Sequence, residues 1–321
     1  MSPDASSPSP MNNEQPAVLA RGLRRTFGEF VAVDGIDFEI ERGECFGFLG
    51  PNGAGKTTTM RMIYRASPVD AGRLEVLGLD AASGDFDRQI KAQMGVVAQE
   101  DNLDTETTVR ENLLVFCRFY GLSRTEAARR ADELLAFAGL VEKADQRVQA
   151  LSGGMKRRLM IARGLISRPR IVILDEPSTG LDPRARQNVW DGLARLREDN
   201  VTLVLTTHYM DEAERLCDRI AIMDRGRIVA CDSPAGLIAR CSAPQVIELS
   251  LRRGPLPDRA QPLLDRALRV EHLRDRVLLY VDTPEALVGD LTRELPDHPA
   301  MVRRASLEDV FLELTGRGLE D

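Results

Sequence analysis

The sequence predicts an α/β fold: a largely parallel sheet, a helical insertion, and a small α+β unit at the C-terminal end. Three observations predict it. A glycine-rich octet, Gly50 to Thr57 (GPNGAGKT), sits between an apolar run and a helix-compatible segment. Strand-sized apolar runs and helical stretches then alternate, the pattern of strands laid parallel with helices as crossovers. From Cys241 onward the texture changes to prolines and short alternating strands. At 321 residues the chain exceeds a comfortable single core, so one domain of ordinary size and a smaller one are expected.

Residues 1–16, MSPDASSPSPMNNEQP, have neither a basic n-region nor an apolar h-region and read as a disordered tail rather than a secretory signal. The main domain is expected over 17–240. Val18 to Ala20 and Phe38 to Ile40 read as short strands, Glu44 to Leu49 leads into the octet, and Lys56 to Tyr64 is helix-compatible. A helical subdomain follows at about 100–165. Thr108 caps it through Glu111 in a T-x-x-E box, Leu113, Leu114, Phe116 and Phe119 come next, and a second helix spans Arg124 to Ala138. The alternating pattern resumes with strand Ile171 to Leu174, helix Arg184 to Arg197, strand Val201 to Thr206 and helix Met210 to Cys217. A hairpin-like segment, Arg219 to Val229, turns at Arg225 and Gly226, and the core is expected to close near Arg240.

Residues 241–321 form the expected accessory domain, with strands at Val246 to Leu251 and Val277 to Val281 and a helix from Pro284 to Leu295. A last helix has Ser306 as N-cap with Asp309 three residues on, and Leu307, Val310, Phe311 and Leu314 line one face before Gly316. Covering its own small domain is the favoured use of that stripe, and binding a partner is the alternative.

Hydrophobic residues at 43% and charged residues at 29% place the chain among soluble globular proteins. No apolar run approaches the ~18 residues of a membrane span, so any spanning helices belong to another chain. Cys45, Cys117, Cys217, Cys231 and Cys241 are spread out with no metal-ligand spacing, which fits a reducing cytoplasm. A net charge of −7 argues against nucleic acid as the main partner. Only four of the 43 basic residues are lysines, and one of the four, Lys56, lies inside the octet.

The octet fits a P-loop. Side chains are nearly absent because backbone N–H groups must close around phosphate oxygens at the positive end of a helix. Gly50, Pro51, Asn52, Gly53, Ala54 and Gly55 form the cradle, with Thr58 beside it. Lys56 would reach the β- and γ-phosphates and Thr57 would ligand Mg²⁺. The apolar run Ile171 to Leu174 ends in Asp175 and Glu176, suiting Asp175 to the Mg²⁺ side and Glu176 to polarising the attacking water.

Between them lies Leu151-Ser152-Gly153-Gly154-Met155-Lys156-Arg157-Arg158, which resembles the signature of ABC transporter ATPases. Ser152, Gly153 and Gly154 open a helix and make a second anion-facing terminus, which implies a second phosphate source. The resemblance implies that the signature of one subunit closes on the ATP held by the P-loop of another, in a head-to-tail homodimer. It carries further residues by position. Gln99 in VVAQEDNLD matches the Q-loop that reaches Mg²⁺ and the water, Ser178 to Asp182 (STGLD) the D-loop, and His208 the switch histidine at the γ-phosphate. Phe27 matches the aromatic that stacks on adenine, with Phe30 as the alternative.

GECFGFLGPNGAGKT, the signature continuation MKRRL, TTHYMDEAERLCD and the terminal LEDVFLELTG look most like the separate ATPase subunits of drug-resistance (daunorubicin type) and nodulation-factor (NodI) exporters. Ala98 stands where many relatives have proline before the Q-loop glutamine. The resemblance implies an ATPase at the cytoplasmic face of the inner membrane, using ATP and Mg²⁺. It would drive a separately encoded polytopic permease that exports a drug, lipid or oligosaccharide-like compound. The competing reading is a soluble ABC ATPase acting on ribosomes or DNA, although the chain has one ATPase domain and no sustained heptads. A P-loop GTPase or kinase leaves the 151–154 cradle unexplained and lacks an NKxD motif.

Overall fold

The computed structural model describes residues 15–240 and 243–316. Residues 1–14 of the expected tail and Cys241 lie outside the described residues. The chain divides into two compact units, the first ending at Cys231 and the second beginning at Asp232.

The first unit begins with β1 (Val18–Phe27), β2 (Phe30–Ile40), β3 (Cys45–Leu49), α1 (Lys56–Ile63), β4 (Ala71–Val76), β5 (Leu79–Asp80), α2 (Asp87–Ala92) and β6 (Met94–Val97). The helical layer follows as α3 (Val109–Phe119), α4 (Arg124–Ala138) and α5 (Gly153–Gly164). The chain then returns through β7 (Ile171–Asp175), α6 (Pro183–Glu198), β8 (Thr202–Thr207), α7 (Met210–Leu216), β9 (Arg219–Asp224) and β10 (Arg227–Asp232).

Its strands form two sheets. One has the order β2-β1-β4-β5, and the other β10-β9-β3-β8-β7-β6. In the second sheet β3 pairs parallel with β8 and β9, and β7 pairs parallel with β8 and β6. Every residue of β3 and β8 is buried, as are the first four of β7. That is why these segments read as continuous apolar runs rather than alternating ones: both faces of a parallel sheet are covered. Phe38 of β2 lies 5.3 Å from Phe48 and 6.2 Å from Phe46 of β3, so aromatic packing joins the two sheets.

The antiparallel ribbon differs from the expectation. β1 and β2 are 10 and 11 residues long rather than short strands. Register shifts between Ala20 and Thr26 break their alternation, and much of ARGLRRTF is polar and solvent-facing, so the strand signal fades after Ala20. β4, β5 and β6 fall in a stretch with no legible period. β6 is defined by its pairing, Met94 with Ile171 and Val97 with Leu174.

The helical layer follows its caps. Thr108 and Glu111 form the expected reciprocal box, Ser123 and Glu126 form another, and left-handed Gly139 ends α4. Leu113 is buried, but Phe119, placed on the apolar run by sequence, is 79% exposed at the end of α3.

The second unit comprises α8 (Pro234–Ala239), β11 (Gln245–Ser250), α9 (Gln261–Leu264), β12 (Arg269–His272), β13 (Arg276–Val281), α10 (Glu285–Glu294), β14 (Ala300–Arg304) and α11 (Leu307–Thr315). Its antiparallel sheet has the order β12-β13-β11-β14. The division falls earlier than the Arg240 position read from sequence, because α8 packs on α11. Leu307, Val310 and Phe311 are buried as the stripe on α11 predicts, whereas Leu314 is 42% exposed.

A buried polar network pins α11 to the sheet. Asp309 has no exposed surface, accepts from Tyr280 Oη at 3.0 Å and Ser306 N at 2.7 Å, and receives Arg303 through both Nη1 (2.6 Å) and Nη2 (3.0 Å). Burial pushes its carboxyl up, but the Arg303 and Ser306 hydrogen bonds outweigh that and hold it below its ordinary value of 3.8. The stability it contributes is therefore fully present above that value and is lost as pH falls through the lower folded value. Asp309→Ala leaves the Tyr280 hydroxyl and the Ser306 N–H without their acceptor and Arg303 with Glu248 alone, and a loss of about 1–3 kcal/mol is expected in chemical denaturation of the full chain.

Candidate functional site

The parallel sheet sets the site. Adjacent strands β3, β8, β7 and β6 run the same way with Leu49 opposite Thr207, Thr206 opposite Asp175, and Leu174 opposite Val97. Their carboxyl ends therefore deliver the octet, His208, the Asp175–Glu176 pair and Gln99 along one edge, where open α/β sheets bind ligands.

The octet wraps from β3 to the first turn of α1. A Cβ on Gly50 would lie 2.3 Å from the Met223 carbonyl oxygen, and one on Gly55 would lie 2.4 Å from that of Ala32, so neither position admits a side chain. A Cβ on Gly53 would meet nothing within 4 Å, which marks the open side of the cradle. Gly55 is left-handed and α1 has no side-chain cap, so its first N–H groups remain available to an anion. Buried Lys56 donates to the carbonyls of Gly50 at 2.6 Å and Pro51 at 3.0 Å. Burial lowers its pKa, opposed by the carboxylates of Glu176 and Asp175. Asn52, Gly53 and Thr57 are exposed, Thr58 is half-buried, and Pro51 and Ala54 are buried beneath them.

Behind the loop stands a support that sequence reading missed. Gly226 in the β9–β10 turn donates to the Ala54 carbonyl at 3.0 Å, and its own carbonyl accepts from Asp34 N at 2.8 Å. Arg227 clamps the Asp34 carboxylate at 2.7 Å. Arg225-Gly226 signalled a turn in the sequence, but only folding reveals what the turn leans on.

Glu176 sits at the centre of the acid end. Its Oε2 accepts from Gln99 Nε2 at 2.8 Å and Thr179 Oγ1 at 3.2 Å, while Oε1 lies 3.2 Å from His208 Nδ1. Its backbone is left-handed, φ 46°, a conformation that costs a side-chain-bearing residue ~1–2 kcal/mol. Surrounding bonds hold it there: its N–H donates to Thr206 O and Oγ1 at 3.1 and 3.2 Å. The same Thr206 donates its hydroxyl to Asp175 Oδ1 at 2.5 Å. Sequence reading missed Thr206 and Thr179, since a threonine in a buried strand or a turn carries no chemical signature of its own.

Ser152 caps α5 by accepting from Met155 N, and it and Gly153 are exposed. A Cβ on Gly154 would press to 2.6 Å from Ala185 Cβ, so that glycine is a close-packing position. Among the described residues no hydrogen bond joins Ser152, Gly153 or Gly154 to the octet. Asp182 caps α6 by accepting from Ala185 N at 2.9 Å. Phe27 and Phe30 flank the β1–β2 turn, 50% and 62% exposed, and the Arg25 guanidinium lies 4.6 Å from the Phe27 ring centre. Both aromatics are accessible, so exposure does not choose between them.

Thr57, Asp175 and Gln99 offer a hydroxyl, a carboxylate and an amide oxygen, a hard donor set suited to Mg²⁺. Among the described residues no cluster of three His, Cys, Asp or Glu side chains forms a metal cage.

The chain's likenesses agree with this geometry. The family described as ABC transporter matches residues 33–179, and the C-terminal domain of nodulation factor export protein NodI matches 258–316. A Nod factor export ATP-binding protein I of Ralstonia nicotianae is 44% identical over 319 residues, covering 98% of each chain. The protein of the same description from Paraburkholderia xenovorans is 45% identical over 303 residues, 93% of this chain and 97% of its own. Among solved structures, a dimeric ATP-binding cassette in a post-hydrolysis state with ADP and Pi superposes with TM-score 0.61 at 28% identity, over 67% of this chain and 98% of that one. CbiO1 of Clostridium perfringens, part of an ABC transporter complex, gives TM-score 0.66 at 26% identity, over 71% and 92%.

The support behind the octet is testable. Gly226 has φ 77°, and an added Cβ would lie 3.0 Å from the Ala32 carbonyl oxygen. Gly226→Ala is expected to cost at least ~1–2 kcal/mol in denaturant melts. It should also weaken nucleotide binding measured by titration, because the strained turn must shift and carries with it the N–H that braces Ala54.

Proposed function

Because the chain belongs to the ABC transporter family and is the ATP-hydrolysing subunit of an exporter, we propose that two copies close head to tail on two MgATP molecules and drive a separate membrane permease. The observation that carries the proposal is the convergence of Glu176, Gln99 and His208 within hydrogen-bond distance at the sheet edge that also bears the octet and Lys56.

In this reading the N–H groups of the octet and the first turn of α1 receive the β- and γ-phosphate oxygens. Lys56 exchanges its loop carbonyls for those oxygens. Thr57, Asp175 and Gln99 would hold Mg²⁺, which when bound would neutralise phosphate charge. Gln99 and Glu176 orient a water molecule. Glu176 accepts its proton as the new oxygen–phosphorus bond forms and the bond to the leaving ADP oxygen breaks, while His208 steadies the γ-phosphate. Phe27 stacks on the base. Ser152, Gly153 and Gly154 face the partner's nucleotide, and Asp182 lies at the crossing between the copies.

Dimeric solved cassettes support the pairing, and nearly full-length likeness to Nod factor export ATP-binding proteins supports a permease partner and an oligosaccharide-like cargo. No helix among the described residues is long and apolar enough to cross a membrane. The likeness to export ATP-binding proteins supports a peripheral place at the cytoplasmic face of the inner membrane. The alternative of a ribosome- or DNA-directed factor is not what these relatives are named for.

Glu176→Gln should retain ATP, accumulate a dimer in size-exclusion chromatography with nucleotide, and lose about 10²–10⁴-fold in turnover. A variant that stays monomeric with ATP and hydrolyses it normally would refute the assignment. Lys56→Ala removes a charged hydrogen-bond donor worth ~1.5–3 kcal/mol, and at least a tenfold fall in ATP affinity is expected by calorimetry.

A further inference from the structure

Arg157 lies one turn into α5, beyond the residues proposed to face the partner's nucleotide, and its side chain points the other way, into the protein. It is 6% exposed. All three guanidinium nitrogens are engaged by main-chain carbonyls: Nε donates to Pro177 O at 2.8 Å, Nη1 to Ala98 O at 2.5 Å and Gln99 O at 3.5 Å, and Nη2 to Asp175 O at 2.7 Å and Glu176 O at 3.1 Å. These carbonyls come from two segments far apart in the chain, the one that ends in Gln99 and the one that carries Glu176. Residues 98–99 and 176–177 lie outside regular structure, and Asp175 is the last residue of β7, so Arg157 meets both segments where their sheet pairing gives out. Burial lowers the Arg157 pKa, opposed by the carboxylates of Glu212, Asp175, Glu176 and Asp101.

We propose that Arg157 is a positioning residue for ATP hydrolysis: its guanidinium gathers the carbonyls at 98–99 and 175–177 onto one point, and so holds the Gln99 amide against the left-handed Glu176. The hydrogen bonds at Glu176 divide accordingly. Thr206 fixes its N–H and Arg157 its carbonyl, and from that fixed backbone the carboxylate reaches between Gln99 and His208. Because Arg157 is carried by the helix that Ser152 caps, a shift of that helix toward a partner's nucleotide is transmitted to the acid of its own site. Lysine cannot substitute fully, since one ammonium with three donors cannot span five acceptors that a planar fork reaches.

The first arm of the test needs no nucleotide. In full-length Arg157→Lys and Arg157→Gln, amide hydrogen exchange over 96–100 and 175–180 should accelerate at least ~10-fold while β3 and α4 keep their protection. The second arm rests on the function proposed above: kcat should fall about 100-fold in Arg157→Gln and less in Arg157→Lys, with KM for ATP changing much less than kcat. Unchanged exchange in both variants overturns the proposal. So does a parallel loss of protection across β3, α4 and both segments, which would mark a merely structural residue. A wild-type chain that fails to hydrolyse ATP would instead count against the functional reading, and the exchange arm would still decide the role of Arg157.

Discussion

Parallel registry among β3, β8, β7 and β6 is the constraint on which the rest depends. Residues near 50, 99, 176 and 208 are separated by long stretches of chain, and no local interaction brings them together. Hydrogen-bonded pairing does, because the strands lie side by side and end level. A slip of one residue along a ladder would move its side chains to the opposite covered face, where they would meet the wrong packing partners, and would leave the strand ends out of step.

Main chain rather than side chain does most of the work at this edge. Glycine stands at Gly50 and Gly55 because neighbouring carbonyls leave no room for a Cβ. Lys56 rests on carbonyls, Arg157 gathers carbonyls, and Gly226 braces a carbonyl. A site made this way is sensitive to loop placement. It also explains how a strained residue such as Glu176 persists: several hydrogen bonds over-determine its conformation.

The second unit follows a different logic. Its sheet is small and antiparallel, with apolar clusters on its faces, and the last helix is fixed by a buried acid tied to Arg303, Tyr280 and the helix N-terminus. Removing Arg303 would leave the buried Asp309 carboxylate without its cation, so the network specifies where α11 docks.

Much of this was legible in the sequence. Capping boxes, buried strands and the octet are local patterns, and short-range physics dictates them: Thr108 with Glu111, Ser306 with Asp309, and the apolar runs of β3, β7 and β8 all appear where the residues place them. β4 to β6 and the length of the β1–β2 ribbon were not legible, because bulges and polar edge positions erase the period of two. Residue types by themselves determined a glycine-rich octet at the head of a helix and an acid pair at a strand end. Tertiary structure alone decided that Glu176, Gln99 and His208 share one small space, that Thr206 and Arg157 hold them there, and that Gly226 backs the octet. The reason is that long-range pairing and buried cation–carbonyl contacts depend on which strands become neighbours, and no window of sequence contains that information.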